Sequence, residues 1–199
     1  MTPHASPNIP SQQIGHPDKA DLFRAVQLKY SRKLGDAIAQ SETSHAYQAA
    51  YEHAMVLWID GQKAFYQLPS DPAKKWVKYP DPDWQSDPEW YRDVDLRRRF
   101  RPPPGLGPPY AGVASRWVRD PDNWTWIGWR QWHCSFDPNQ VFLQRFEHGT
   151  MLVPFRLHPL NKAAQVFVLL DDGSWSSESA TVDAPPCSEP PWQGEIARP

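Results

Sequence analysis

Cysteine is almost missing from this chain of 199 residues: Cys134 and Cys187 are the only two. No CxxC pair and no Cys/His cluster at zinc spacing accompanies them, so a structural zinc site of the usual kind is excluded. Oxidised to each other, they would close a long loop and stabilise the fold by roughly 4 kcal/mol on the chain-entropy model; two unrelated free thiols are the plainer alternative. Charge of one sign is also lacking. Lys and Arg number 21 against 23 Asp and Glu, a net charge of −2, which gives neither a nucleic acid nor an anionic membrane a global electrostatic handle. No run approaches the roughly 18 apolar residues that a membrane span requires, and residues 1–20 lack the charged start and apolar run of a signal peptide. GxSxG, HExxH, glycine-rich phosphate loops and Cys/His nucleophile signatures are all absent. The sequence therefore offers an enzyme no starting point, and no cofactor is expected.

What the chain does hold is proline and aromatic rings: 23 Pro, 11 Trp, 8 Phe and 7 Tyr against 10 Gly. Twenty-six rings at roughly 150–250 Å² each are enough for a core. Proline removes a backbone donor and fixes φ, so long helices and central strands are interrupted at this density. Helical bundles, coiled coils and large doubly wound sheets are disfavoured.

Residues 1–17 carry Pro3, Pro7, Pro10 and Pro17 among small polar residues and read as a disordered or partner-draped arm. From Asp18 to Lys33, Leu22, Phe23, Val26, Tyr30 and Leu34 fall at helical spacing, with Gly35 to end the helix. Strands are expected within Tyr47–Trp58, Lys63–Leu68 and Trp76–Tyr79, with Asp60-Gly61 as a turn. Residues 80–111 are dense in proline interleaved with Trp84, Trp90, Tyr91 and Tyr110, a composition that predicts a docked strap rather than a tether. A short helix follows at Ala111–Arg119, then strands at Val141–Phe146, Thr150–Phe155, Gln165–Leu170 and from Trp175, with Asp171-Asp172-Gly173 as a turn. Residues 181–199 form a second proline-rich tail.

Self-similarity organises these pieces. Tyr51-Glu52-His53-Ala54-Met55-Val56-Leu57-Trp58 aligns with Phe146-Glu147-His148-Gly149-Thr150-Met151-Leu152-Val153, and Ala64–Leu68 aligns with Val166–Leu170. Leu34-Gly35 precedes the first block as Ile127-Gly128 precedes the second, and Trp76 closes the first as Trp175 closes the second. Gly35, Glu52, His53 and Trp76, with Gly128, Glu147, His148 and Trp175, are the repeat signature. Neither copy can bury its apolar face alone. The expected fold is α+β and β-dominated: two pseudo-symmetric units of short helix plus antiparallel meander, residues 18–79 and 112–180, joined by the proline-rich strap 80–111.

The run Ile127-Gly128-Trp129, then Gln144 to Leu152, then Val166 to Trp175, resembles tandem modules of secreted and lipid-anchored proteins of Chloroflexota bacteria. More distantly it is similar to the LGFP repeat of actinobacterial cell-wall proteins. Pro103-Pro104-Gly105-Leu106 followed by Trp117 is similar to the joint between such modules. The resemblance spans roughly residues 30–180 and is better in the second copy; the first carries Asp36 where the second has Trp129 and lacks the Asp-Asp-Gly turn. It implies an extracellular or envelope-facing binding or anchoring role without catalytic residues, while the missing signal peptide leaves a cytoplasmic location open.

Three constellations could carry chemistry. Glu52-His53 and Glu147-His148 are residue types that bind metals or exchange protons. A metal site would draw one member from each repeat, with His53 and His148 as its weak candidates and His133 or His158 as helpers; the plainer reading has each Glu accepting backbone N–H bonds at a corner while His packs. Five tryptophans crowd into Trp117–Trp132. Rings with polar neighbours stack on sugars or cations, making Trp124, Trp129, Trp132 and Arg130 the ligand-binding candidates; alternatively Trp124 and Trp126 alternate as core strand residues. Arg97, Arg98, Arg99 and Arg101 around Phe100 are the only basic run, and Asp87, Glu89, Asp93 and Asp95 neutralise it within a Debye length. The leading expectation is a non-catalytic module that recognises peptidoglycan, another envelope polysaccharide or a partner protein through aromatic surface. A structural subunit of a larger assembly and a metal-dependent hydrolase built on the Glu/His pairs are the alternatives.

Overall fold

The computed structural model describes residues 17–81, 100–109, 111–131, 140–154 and 165–179. Helix α1 (Pro17–Leu34) places Ala20, Phe23, Val26 and Leu34 along one buried stripe. Arg32 and Lys33 lie in its last turn, where cations complement the carbonyl end of the helix. The Gly35 N–H donates to the Ser31 carbonyl (2.9 Å) and the chain leaves the helix there at φ 75°.

Two antiparallel sheets follow. One is β2 (Ala46–Ala50), β3 (Ala54–Ile59), β4 (Ala64–Pro69) and β5 (Val77–Pro80), a meander in chain order. The other is β1 (Glu42–Ser44), β6 (Val141–Phe146), β7 (Gly149–Pro154), β8 (Gln165–Leu170) and β9 (Trp175–Ser179), in the order β1-β6-β7-β8-β9. Strand β1 leaves the first repeat to pair with β6, Glu42 opposite Leu143. The expected Asp60-Gly61 turn is a one-turn 3-10 helix, Asp60–Gln62. Helix α2 (Ala111–Arg119), the short helix α3 (Pro121–Trp124) and a 3-10 turn (Thr125–Ile127) precede β6.

Alternation along the strands serves two cores at once. Leu57, Ile59, Ala64, Tyr66 and Leu68 face Val141, Leu143, Leu152, Phe167 and Leu169 between the sheets. The remaining strand positions face outward under helices. Phe142, Phe146, Met151, Val153, Val166 and Val168 pack beneath α1, with Phe23 edge-on to Phe142 at 5.2 Å. Val56, Trp58 and Phe65 pack beneath Val113, Trp124 and Ile127, the Phe65 and Trp124 rings 5.2 Å apart. The order of layers is helix, sheet, sheet, helix. Burial on both faces is why β8 reads as a nearly continuous apolar run rather than an alternating one, and why β4 is buried throughout, Gln67 included.

Helix α1 precedes the β2–β5 sheet in the chain yet packs on the sheet of the second repeat. Helices α2 and α3 precede β6–β9 yet pack on the sheet of the first. Each repeat thus lends its helix to the meander of the other, an exchange that periodicity alone does not encode.

Two expectations need correction. Trp124 and Trp126 do not alternate along a strand: Pro121–Ile127 is a succession of helical turns, begun by Pro121 at its first position, where a missing N–H costs nothing. Nor is Trp124 available to a ligand, because it is fully buried against Phe65 and Tyr79. Cys134, Cys187, Trp132, His133, His158, Arg97, Arg98 and Arg99 lie outside the described residues. Among the described residues, no helix is long and apolar enough to cross a membrane.

Candidate functional site

The repeat signature closes into two corners built to one plan. In the first, Leu34-Gly35-Asp36 at the end of α1 lies against Phe146-Glu147-His148 at the β6–β7 corner. The His148 N–H donates to the Leu34 carbonyl (2.9 Å), the Glu147 N–H to the Asp36 carbonyl (3.0 Å), and the Ile38 N–H to the Arg145 carbonyl (3.2 Å). The Asp36 N–H donates to the Glu147 carboxylate at 3.1 Å. In the second, Ile127-Gly128-Trp129 lies against Tyr51-Glu52-His53 in the same way. There the His53 N–H donates to the Ile127 carbonyl (3.0 Å), the Glu52 N–H to the Trp129 carbonyl (3.0 Å), and the Gln131 N–H to the Ala50 carbonyl (2.8 Å). The Trp129 N–H donates to the Glu52 carboxylate at 2.8 Å.

The glycines are required by this geometry. Gly35 and Gly128 sit at φ 75° and 77°, where an L side chain is strained. A Cβ on Gly128 would fall 2.8 Å from the Glu52 carboxylate and 3.2 Å from the His53 ring; one on Gly35 would press into Glu147, 2.9 Å from its Cβ. Both carboxylates therefore sit over a bare backbone and accept an N–H in a charge-assisted bond. The imidazoles of His53 and His148 are exposed at their own corners, and no group of three His, Cys, Asp or Glu that could hold a metal ion forms among the described residues. Trp76 ties the halves further: its N–H donates to the Gly173 carbonyl (2.9 Å) and its indole to the Leu170 carbonyl (2.8 Å), while Trp175 joins it at the margin of the inter-sheet core.

Equal corners carry unequal surfaces. Where the first corner presents Asp36, just past the end of α1, the second presents Trp129, half-buried in a cluster with Trp117 of α2 and Phe100 from the strap. The Trp117 and Trp129 rings are 5.5 Å apart and tilted by 30°, and Phe100 meets them edge-on at 6.1 and 6.4 Å. Gly107 exchanges backbone hydrogen bonds with Arg130 (2.7 and 3.0 Å), so the described end of the strap is stitched beside Trp129. Arg130 itself is buried, a structural neighbour of the cluster rather than an exposed ligand group. Arg101 is exposed next to Phe100. Trp126 is half-buried and its indole donates to the Asn123 carbonyl (2.9 Å).

Of the four ligand-binding candidates, Trp129 is in a cluster with a partly open face, Trp124 is core, Arg130 is buried and Trp132 lies outside the described residues. Phe100 and Trp117 are the members that the sequence did not single out for this role. Their partnership joins positions 17 apart across a proline-rich stretch, which no local period signals. No protein-family model, curated protein or solved structure matches the chain.

Proposed function

We propose that the chain is a non-catalytic binding module that holds an envelope polysaccharide through the Phe100–Trp117–Trp129 cluster. One observation carries the reading. The fold builds the same corner twice, and the corner that bears Asp36 closes with the same hydrogen bonds as the one that bears Trp129. The scaffold has no need of the indole, which leaves a half-open aromatic cluster to recognition; rings in this state stack on sugar faces. The resemblance to envelope repeat modules supports the same class and the extracellular setting.

The test is retention on peptidoglycan and polysaccharide beads by the full chain and by Trp129→Asp, which installs the residue of the other corner and keeps the N–H that Glu52 accepts. Lost retention at an unchanged melting temperature is the expected outcome; equal retention removes the reading. A second reading, a subunit of a larger assembly, is favoured by exposed apolar side chains on both edges of the β2–β5 sheet, Tyr47 on β2 and Val77 on β5. The hydrolase alternative is weakened because Glu52 and Glu147 are engaged by backbone donors.

A further inference from the structure

The duplication also provides an internal control for the seams where the two sheets meet. The strand pairing corrects the second sequence alignment by one residue: Leu57 lies opposite Tyr66 and Leu152 opposite Phe167. Tyr66 on β4 is therefore equivalent to Phe167 on β8, both in the inter-sheet core, and not to Val168, which faces α1. Around Tyr66 stand Trp76, stacked at 5.9 Å and 11°, and Lys78, whose ammonium lies 5.3 Å above the Tyr66 ring. Arg145 follows Val141 and Leu143 in the alternation of β6 and so leaves that strand toward the same core, at its exposed end. The equivalent seam carries Phe167 for Tyr66, Trp175 for Trp76, Ser177 for Lys78 and Ala50 for Arg145. One seam is closed with neutral residues; the other places a phenol and two cations where the fold demonstrably manages without them.

The charges of this seam are not balanced. Glu42, on β1, accepts from the Gln62 amide, and the Gln62 carbonyl accepts from Lys78 at 3.2 Å. That chain ties Lys78 to Glu42, and Glu42 lies opposite Leu143, two residues before Arg145 on the same face of β6. Among the described residues the Arg145 guanidinium forms no ion pair and no side-chain hydrogen bond. Burial, and after it the Arg145 charge, hold Lys78 below the ordinary lysine range, and burial pushes the Tyr66 phenol up, so that it stays a neutral donor. Two cations brought together beside an aromatic pair, with a single carboxylate near them, form a receptor for negative charge.

We propose that this seam is a second binding site, independent of the Trp129 cluster, which takes an anionic group of a sugar polymer, a carboxylate or a phosphate, between Arg145 and Lys78 beside Trp76. The full chain would be titrated with glucuronate, inorganic phosphate and neutral glucose, followed by NMR at the Trp76 indole N–H. Either anion should shift that resonance and glucose should not; whichever anion binds more tightly names the source. Arg145→Ala and Lys78→Ser should each weaken binding by about tenfold, the loss of one charged hydrogen bond, and added salt should weaken it too. These variants, with Tyr66→Phe, install residues that the other seam already carries, so folding is retained and is checked by thermal melts. Trp129→Asp should leave the titration unchanged, which separates this site from the polysaccharide cluster. No shift with either anion, or an equal titration in the Arg145→Ala/Lys78→Ser/Tyr66→Phe variant, overturns the proposal.

Discussion

The corner at Gly35 and the corner at Gly128 differ in what they show to solvent and agree in how they close. Each uses a glycine at positive φ, a carboxylate accepting the next N–H, and the same three backbone bonds. Backbone bonds do not depend on side chains, so the shared set is the scaffold. The differences, Trp129 for Asp36 and Arg130 for Ala37, fall where side chains are free to vary. Duplication thus separates what the fold needs from what has been added to it. The seams repeat the lesson: Phe167 and Ser177 are enough to close one, and Tyr66 and Lys78 are additions at the other.

The comparison can be broken in several ways, the largest at the apolar ends of the corners. Leu34→Ala and Ile127→Ala remove fully buried side chains from opposite outer cores. Each should cost about 2–5 kcal/mol in denaturant melts, and a large inequality would mean that the two outer layers are not equivalent. Gly35→Ala and Gly128→Ala come next, at about 1–3 kcal/mol of backbone strain each, with the displaced carboxylate adding to it. Gln67→Leu should be close to neutral. Its Nε2 makes a long bond of 3.4 Å to the Asn123 carbonyl and its buried Oε1 has no partner, so an apolar replacement forfeits little.

The smallest effect concerns acid. On β9, Glu178 accepts from Lys29 (2.6 Å) and Tyr30 (2.8 Å) of α1, and these bonds hold its carboxyl below the ordinary glutamate range. A depressed folded pKa gives stability that is present above the unfolded value and is lost as pH falls through the folded one. The equivalent strand β5 is held to α3 by a ring contact instead, Tyr79 against Trp124 at 5.2 Å. Amide protection, corrected for the intrinsic exchange rate at each pH, should therefore fall at β9 and not at β5 as pH is lowered below the ordinary carboxylate range. Glu178→Gln should abolish that difference. The pair is partly solvated, with the Lys29 end exposed, so the global melt should move little.

Much of the fold was legible. The spacing of Phe23, Val26 and Leu34 gave α1, and Val141–Phe146 and Gln165–Leu170 appear as strands at the expected residues. The self-similar blocks found the corners and assigned Glu52 and Glu147 their roles as acceptors. The exchange of helices was not legible, because periodicity reports that Leu34 and Ile127 are buried and not which sheet buries them. Trp124 and Trp126 misled for a related reason. Two rings at i and i+2 fit a strand, but Asp120-Pro121-Asp122 before them is a helix start, and that local signal decided the conformation. The aromatic cluster and the charged seam join residues distant in sequence, Trp117 with Trp129 and Lys78 with Arg145, through tertiary packing alone.

The central claim is that each repeat closes the other, and double-mutant cycles on the full chain test it most directly. Gly35→Ala combined with Glu147→Ala should be non-additive by about 1 kcal/mol, because the two residues touch, whereas Gly35→Ala with Glu52→Ala should be additive within about 0.5 kcal/mol. Coupling of Gly35 to Glu52 of its own repeat, with none to Glu147, would contradict the account.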